Sequence, residues 1–227
     1  MTWLRCFLYF LSIQFLSGMV FGFAAANAEK GSVPPDAVIF QLFFYGLCLW
    51  LVLWAMSRDY RRTLPDGRLP APFFTARKVW ISAAYLVLLL LGQAFYSQIL
   101  SWLFGIPDMP TRNQQVLMSM VAHLPLPVTA LLVLVGAPLG EELLFRGLLF
   151  RLLGAWRSRG RQVAALLASS VLFGLAHARI DDPALLVYVL MGMAFGLVYL
   201  HTRDLRYAVA VHFLNNAWAL YAMLYLE

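Results

Sequence analysis

Glu141, Glu142 and Arg146 stand in the stretch PLGEELLFRG, residues 138–147, of a chain that is 62% hydrophobic and 12% charged. An isolated charge is expensive to bury, and ionisable groups inside apolar segments mark functional sites by default. Helical spacing gives the two carboxylates different prospects. Residues four apart share a face, so Glu142 and Arg146 can form an ion pair, whereas Glu141 points about 100° away. Glu141 is left without a partner in its own helix, which suits a group that must take and return a proton. The structural alternative is a buried ion network that only ties helices together.

Two other apolar runs carry groups with which Glu141 could work. His177 closes one in FGLAH, and His212 lies in another in HFLNN, one turn before Asn216 on the same face. At about 1.5 Å per residue, Glu141 and His177 come out roughly 20 Å from the basic side, and His212 with Asn216 roughly 10 to 16 Å. The four groups can therefore converge near the membrane middle as a water-activating set. Asn215, about 100° from Asn216, is a weaker candidate for the same face. His123 and His201 lie near segment ends, where an interfacial position accounts for them.

The elements that must position these groups follow from hydropathy. A mean hydropathy of +0.75 and repeated apolar runs of about 20 residues imply an all-α, polytopic membrane bundle of about seven transmembrane helices. The runs cover residues 4–26, 37–56, 79–104, 125–153, 163–178, 184–200 and 205–226. Short alternating segments of the kind a strand barrel needs are missing. The chain divides into residues 1–124, helices one to three with a basic connecting loop, and residues 125–227, helices four to seven with the candidate site; together they make one integral membrane domain.

The net charge of +6 lies at the ends of apolar runs and not along a polar face, which argues against nucleic acid as a partner. With the first helix starting in the cytoplasm, thirteen basic residues fall inside, and Lys30, Arg112 and Arg179 fall outside. That asymmetry predicts a cytoplasmic N-terminus and an external C-terminus. The first run could instead be a signal sequence, since FAAANAEK offers small residues for cleavage after Ala28. Its apolar length favours an uncleaved helix. The loop SRDYRRTLPDGRLPAPFFTARK, residues 57–78, reads as a solvated cytoplasmic connection turning at Pro65–Asp66–Gly67, with Phe73 and Phe74 as an interfacial anchor. Cys6 and Cys48 lie in apolar runs without metal-knuckle or disulfide spacing.

Within the fourth run, Pro138 has no N–H for the Leu134 carbonyl and should kink the helix just before the glutamates. Gly136 with Gly140, and Gly192 with Gly196, have the GxxxG spacing that permits close helix approach.

EELLFR, FGLAH and HFLNN match EExxxR, FxxxH and HxxxN, in that order and on separate helices. The chain thereby resembles the CPBP family of intramembrane proteases, which includes type II CAAX prenyl endopeptidases and bacteriocin-processing or immunity proteins. The resemblance covers about residues 125–220 and implies an intramembrane endopeptidase acting on a membrane-associated or lipidated protein or peptide. It implies that Glu141, helped by His177, activates water, and that His212 and Asn216 bind the scissile carbonyl and its oxyanion. Glu142, Arg146 and Phe173 would shape the site, with Phe173 packed one turn below His177. The family is described as metalloproteases, and Glu141, His177 and His212 could hold a divalent metal such as zinc. The same residues could equally activate water without metal. HExxH is absent. The resemblance and the composition together imply a prokaryotic plasma-membrane enzyme.

Other chemistries fit less well. A serine protease would need a nucleophile beside histidine, but Ser170 lies about 10 Å along the helix from His177. An aspartyl intramembrane protease needs two membrane aspartates, and every Asp here lies in or beside a loop. A proton- or ion-coupled transporter would use Glu141 and His177 as an ion pathway, although no internal repeat is visible. A non-catalytic immunity or partner protein would keep the bundle without turnover.

Overall fold

A computed structural model describes residues 2–30, 34–70, 72–104 and 111–226. The side chains of Ala28, Lys30 and Arg112, invoked above for cleavage and topology, lie outside the described set. Among the described residues the chain is helical throughout, with no strand. The elements are α1 (Trp3–Lys30), α2 (Pro35–Arg61), α3 (Ala76–Phe104), α4 (Arg112–His123), α5 (Leu126–Leu152), α6 (Arg159–His177), α7 (Ala184–Thr202) and α8 (Leu205–Tyr225).

All seven expected apolar runs are helices. Five, α1, α2, α3, α5 and α7, are long and apolar enough to cross a membrane by length and composition. The other two, α6 and α8, fall short because α6 opens on Arg159 and Arg161 and α8 carries His212, Asn215 and Asn216. In α8 the lowering comes from polar groups at the candidate site, in α6 mainly from the basic start of the helix. One helix was not expected: α4 starts on a capping box in which Thr111 accepts from the Gln114 N–H and Gln114 accepts from the Thr111 N–H. That reciprocal pairing satisfies two of the orphan donors at a helix start.

Helix α5 is the central element, with about half its length buried, whereas α2 and α3 expose large apolar side chains such as Phe43, Trp50, Trp80 and Leu88. Such side chains suit contact with lipid. A large apolar cluster joins α5 to α6, α7 and α8 through Leu148, Phe150, Phe173, Phe195, Val198 and Val211. A smaller one, with Val20, Met120, Leu124, Val128 and Leu132, ties α1 and α4 to the start of α5.

In lipid the association of helices rests on close packing and not on removing apolar surface from water. The α6–α7 pair shows this. A methyl group added at Gly192 would lie 2.9 Å from the Ser170 Cα, and one at Gly174 would lie 2.6 Å from Val189 Cγ2. Gly196 faces Leu166 in the same way, at 2.5 Å. Ser170 itself donates to the Leu166 carbonyl and serves this contact. The first GxxxG pair packs elsewhere, Gly136 against Leu49 and Tyr45 of α2, and Gly140 against Ile13 of α1.

The loop between α2 and α3 is more ordered than a solvated connection. It turns at Asp66 and Gly67, both with positive φ, and then folds onto the turn between α7 and α8. There Asp204, fully buried, caps α8 and pairs with Lys78 at 3.3 Å and Arg206 at 2.7 Å. Tyr207 donates to the Phe73 carbonyl at 2.7 Å, and the Arg206 guanidinium lies over the Phe73 ring. Burial pushes the Asp204 carboxyl pKa up, but hydrogen bonds from Arg206 and Lys78 outweigh it and hold the group below its ordinary value.

The packing at Gly192 gives a direct test. Gly192→Ala should lower the thermal midpoint in detergent, at a cost of about 1 to 3 kcal/mol, because backbone at Ser170 must give way. Gly160→Ala, where a methyl meets nothing within 4 Å, should leave the midpoint unchanged or raise it.

Candidate active site

Helix α5 does not run in one register. Turns of π-helix at Leu131–Gly136 and Leu143–Leu149 flank an α-helical segment at Ala137–Glu142. The Ala137 N–H bonds to the Leu132 carbonyl, five residues back. The next carbonyl in that register, that of Val133, would face residue 138, where proline has no N–H. Asn216 of α8 donates its side-chain amide to this carbonyl at 2.9 Å. The expected deficit at the Leu134 carbonyl is thus shifted by one residue, because the π turn lengthens the ring. The proline's missing donor becomes an attachment point for Asn216. π turns of this kind recur at functional sites.

Three residues later the α-helical segment presents the two carboxylates. Glu142 is fully buried and accepts from Arg146 Nη1 at 2.9 Å and from His212 Nδ1 at 2.9 Å, both on Oε1. Arg146, also fully buried, donates through Nη2 to the Gly192 carbonyl at 2.8 Å. Its guanidinium lies over the rings of Phe173 at 4.7 Å, Phe195 at 5.5 Å and Phe145 at 5.8 Å. Cation and carboxylate neutralise each other, and the aromatic faces supply the remaining negative potential. The pair does more than shape the site: it links α5 to α7 and α8.

Glu141 points the other way, as its position one residue earlier requires. Its Oε2 is buried and has no hydrogen-bond partner, and lies 3.5 Å from His177 Nε2 and 3.9 Å from His212 Nε2. The two imidazoles are oriented from behind. His177 Nδ1 lies 2.8 Å from the Phe173 carbonyl, which can only accept, so Nδ1 carries the proton and Nε2 is free in the neutral ring. His212 Nδ1 likewise donates to Glu142. Stacking fixes the ring planes: His177 lies between Phe173 at 4.4 Å and Tyr188 at 5.2 Å, and His212 lies on Phe195 at 4.5 Å.

These groups open onto a cavity of about 520 Å³. Glu141, His177, His212 and Asn216 line it, together with apolar side chains of α1 and α2 and with Asn113, Leu117 and Met120 of α4. Asn215 does not line it; this side chain is buried against α3 and accepts from Gln93 at 2.8 Å. His123 bonds to the Ser119 carbonyl and His201 to the Leu197 carbonyl, and neither lines the cavity. Sequence reasoning missed Tyr188, which stacks on His177 and meets Thr111 Oγ1 at 3.0 Å, and Phe195 under His212. No sequence signal separates such aromatics from ordinary core.

Among the described residues no three His, Cys, Asp or Glu side chains are grouped so as to hold a metal ion. Glu141, named above with His177 and His212 as a candidate ligand set, lies near each of the two imidazoles, but the three do not form such a group.

Residues 123–218 match the family model described as Type II CAAX prenyl endopeptidase Rce1-like. The site-bearing region is similar to that family model. The match begins just before α5 and ends within α8, so it takes in Glu141, His177, His212 and Asn216 and leaves α1 to α3 outside. Two bacterial proteins are similar over longer stretches. "Putative membrane peptidase YdiL" of Bacillus subtilis (strain 168) is 25% identical over 198 residues, 87% of this chain and 77% of that protein. "Membrane-embedded CAAX protease MroQ" of Staphylococcus aureus (strain USA300) is 28% identical over 134 residues, 58% of this chain and 52% of that protein. No solved structure matches. Within the matched region, the two imidazoles beside Glu141 come from α6 and α8, whereas the apolar wall of the cavity is largely built by α1, α2 and α4.

The buried pair sets a stability test. Glu142→Gln leaves Arg146 charged and without its counter-ion, and should cost about 3 to 5 kcal/mol. Glu141→Gln removes no hydrogen bond and should change thermal stability far less. Thermal unfolding of both variants in detergent measures the difference.

Proposed function

We propose that the chain is an intramembrane endopeptidase that hydrolyses a peptide bond of a membrane-associated or lipidated protein or peptide, using water activated by Glu141. One observation carries this reading: the partnerless Glu141 Oε2 faces the cavity beside two imidazole nitrogens, at 3.5 and 3.9 Å, whose own orientations are set by Phe173 and Glu142. The Rce1-like match and the peptidase names of both relatives support it.

In this reading water binds between Glu141 and His177 Nε2. As its oxygen adds to the scissile carbonyl, Glu141 takes a water proton. His212, protonated on Nε2 with the Glu142 carboxylate behind Nδ1, donates to the developing oxyanion. The Asn216 amide holds the Val133 carbonyl with one hydrogen and keeps the second for the substrate. Collapse of the tetrahedral species breaks the C–N bond, and Glu141 returns its proton to the leaving amine. Every group in this sequence belongs to the chain. The distribution of basic residues supports a cytoplasmic N-terminus and an external C-terminus, in a prokaryotic plasma membrane.

Glu141→Gln should abolish cleavage of a membrane-presented substrate, a fall of about 10²- to 10⁴-fold or more, with the fold retained. Comparative proteomics of membranes carrying wild type or this variant reads the loss and reveals the substrate. Undiminished cleavage would remove Glu141 from the mechanism, and Glu141-dependent ion flux in proteoliposomes without bond cleavage would make the protein a carrier.

The proline gives a second test. Pro138→Ala supplies an N–H that competes with Asn216 for the Val133 carbonyl. Turnover should fall about tenfold, as for loss of one oriented donor held only in part, while the thermal midpoint holds or rises. A loss of stability in parallel with turnover would make Pro138 merely structural.

A further inference from the structure

Away from the cavity, the turn between α5 and α6 gathers four arginines. Arg151 and Arg203 both lie against the Trp156 ring, at 5.2 and 4.3 Å. Arg157 and Arg161 pass across Gly154: the position of a Cβ on that residue is 3.2 Å from Arg157 Cδ and 3.0 Å from Arg161 Nη1. Among the described residues none of these four guanidiniums is in an ion pair. The nearest acid in sequence, Asp204, is already engaged by Lys78 and Arg206.

The cluster is built and not merely exposed. Gly154 takes a left-handed conformation, φ 71°, to turn the chain beneath the two arginines. Arg203 also sits at positive φ, 56°, where a side chain other than glycine is disfavoured, and this places its guanidinium on Trp156. A guanidinium lying against a ring directs its N–H groups in its own plane, away from the ring. Two donors here are buried without a partner, Arg151 Nε and Trp156 Nε1. The start of α6 faces the same turn: Ser158 caps it by accepting from the Arg161 N–H, and a methyl added at Gly160 would meet nothing within 4 Å, so the turn is open on that side.

We propose that this turn, completed by Arg203 from the start of the α7–α8 connection, binds a phosphate group, and that its source is an anionic phospholipid headgroup. The membrane-crossing helices α5 and α7 both end here, which puts the cluster at headgroup depth. Several uncompensated cations favour a lipid with net negative charge over a zwitterionic one, by about 1 kcal/mol per basic residue.

The test uses the full chain in phosphatidylcholine nanodiscs doped with phosphatidylglycerol. Native mass spectrometry counts the lipid retained after extraction into neutral detergent. Wild type should keep phosphatidylglycerol in preference to phosphatidylcholine. R151Q/R203Q should lose that preference by roughly tenfold or more, and W156F, which keeps the ring but removes the N–H, should lose it in part. W156F decides the matter if the double variant does not fold. Inorganic phosphate, added to nanodiscs of phosphatidylcholine alone, separates the sources. A thermal midpoint raised by phosphate in wild type, and not in W156F, would give the site to free phosphate and overturn the lipid assignment. Equal retention of both lipids by wild type, or no difference between wild type and the variants, would overturn the site.

Discussion

A guanidinium buried inside a membrane bundle needs a counter-ion and acceptors brought to it, and Arg146 sets that condition for half the molecule. Its counter-ion Glu142 comes from its own helix, its second acceptor is the Gly192 carbonyl of α7, and its faces meet aromatic rings from α5, α6 and α7. Reaching that carbonyl requires α7 to lie close, and α7 lies close because Gly192, Gly174 and Gly196 present no side chain at its contact with α6. Glu142 then extends the chain of bonds to His212 of α8. Four helices are thereby fixed around one charge. Removing Glu142 would leave an uncompensated charge in low dielectric.

Neutralising one carboxylate isolates the other. Glu141 sits next to Glu142 in sequence but on a different face, so the charge balance that stabilises Glu142 does not reach it by hydrogen bond. The same Glu142 holds the His212 imidazole by Nδ1, which leaves Nε2 facing Glu141. Oriented donors and acceptors held by packing, and not by the substrate, are what electrostatic preorganisation requires. The structural reading of the acidic pair and the catalytic one are therefore not rivals: the ion network is the support on which a reactive carboxylate can be presented.

What the sequence disclosed follows from how local each interaction is. The Glu142–Arg146 pair spans one helical turn, and imidazoles in apolar runs stand out by type, so both were legible. Asn216 was legible by its spacing from His212, but its partner was not. The shift from the Leu134 to the Val133 carbonyl depends on a π turn, and no residue pattern announces that register. Tyr188 and Phe195 belong to the same residue types as the core around them, and their alignment with His177 and His212 exists only after α6, α7 and α8 pack. Helix α4 had a readable start in Thr111 and Gln114, yet its weak hydropathy hid it among the loops. Asp204 was similarly hidden, since an acid beside a turn reads as solvated until the loop from α2 folds over it.

The proline before the glutamates shows how a backbone defect can be used. In a regular helix Pro138 would cost about 3 kcal/mol through a lost bond and a clash with the preceding turn. Here the π turn gives the ring room and moves the unsatisfied carbonyl to Val133, on the side that faces α8. An unsatisfied carbonyl inside lipid must find a donor from a neighbouring helix. Asn216 is that donor, and it lies one turn beyond His212 on the same helix, so satisfying the backbone also sets the rotation of α8 that brings His212 to Glu142. The defect in α5 and the charge in α5 therefore impose the same placement on α8 from two points one turn apart. A single contact would let α8 rotate; two contacts at this spacing do not.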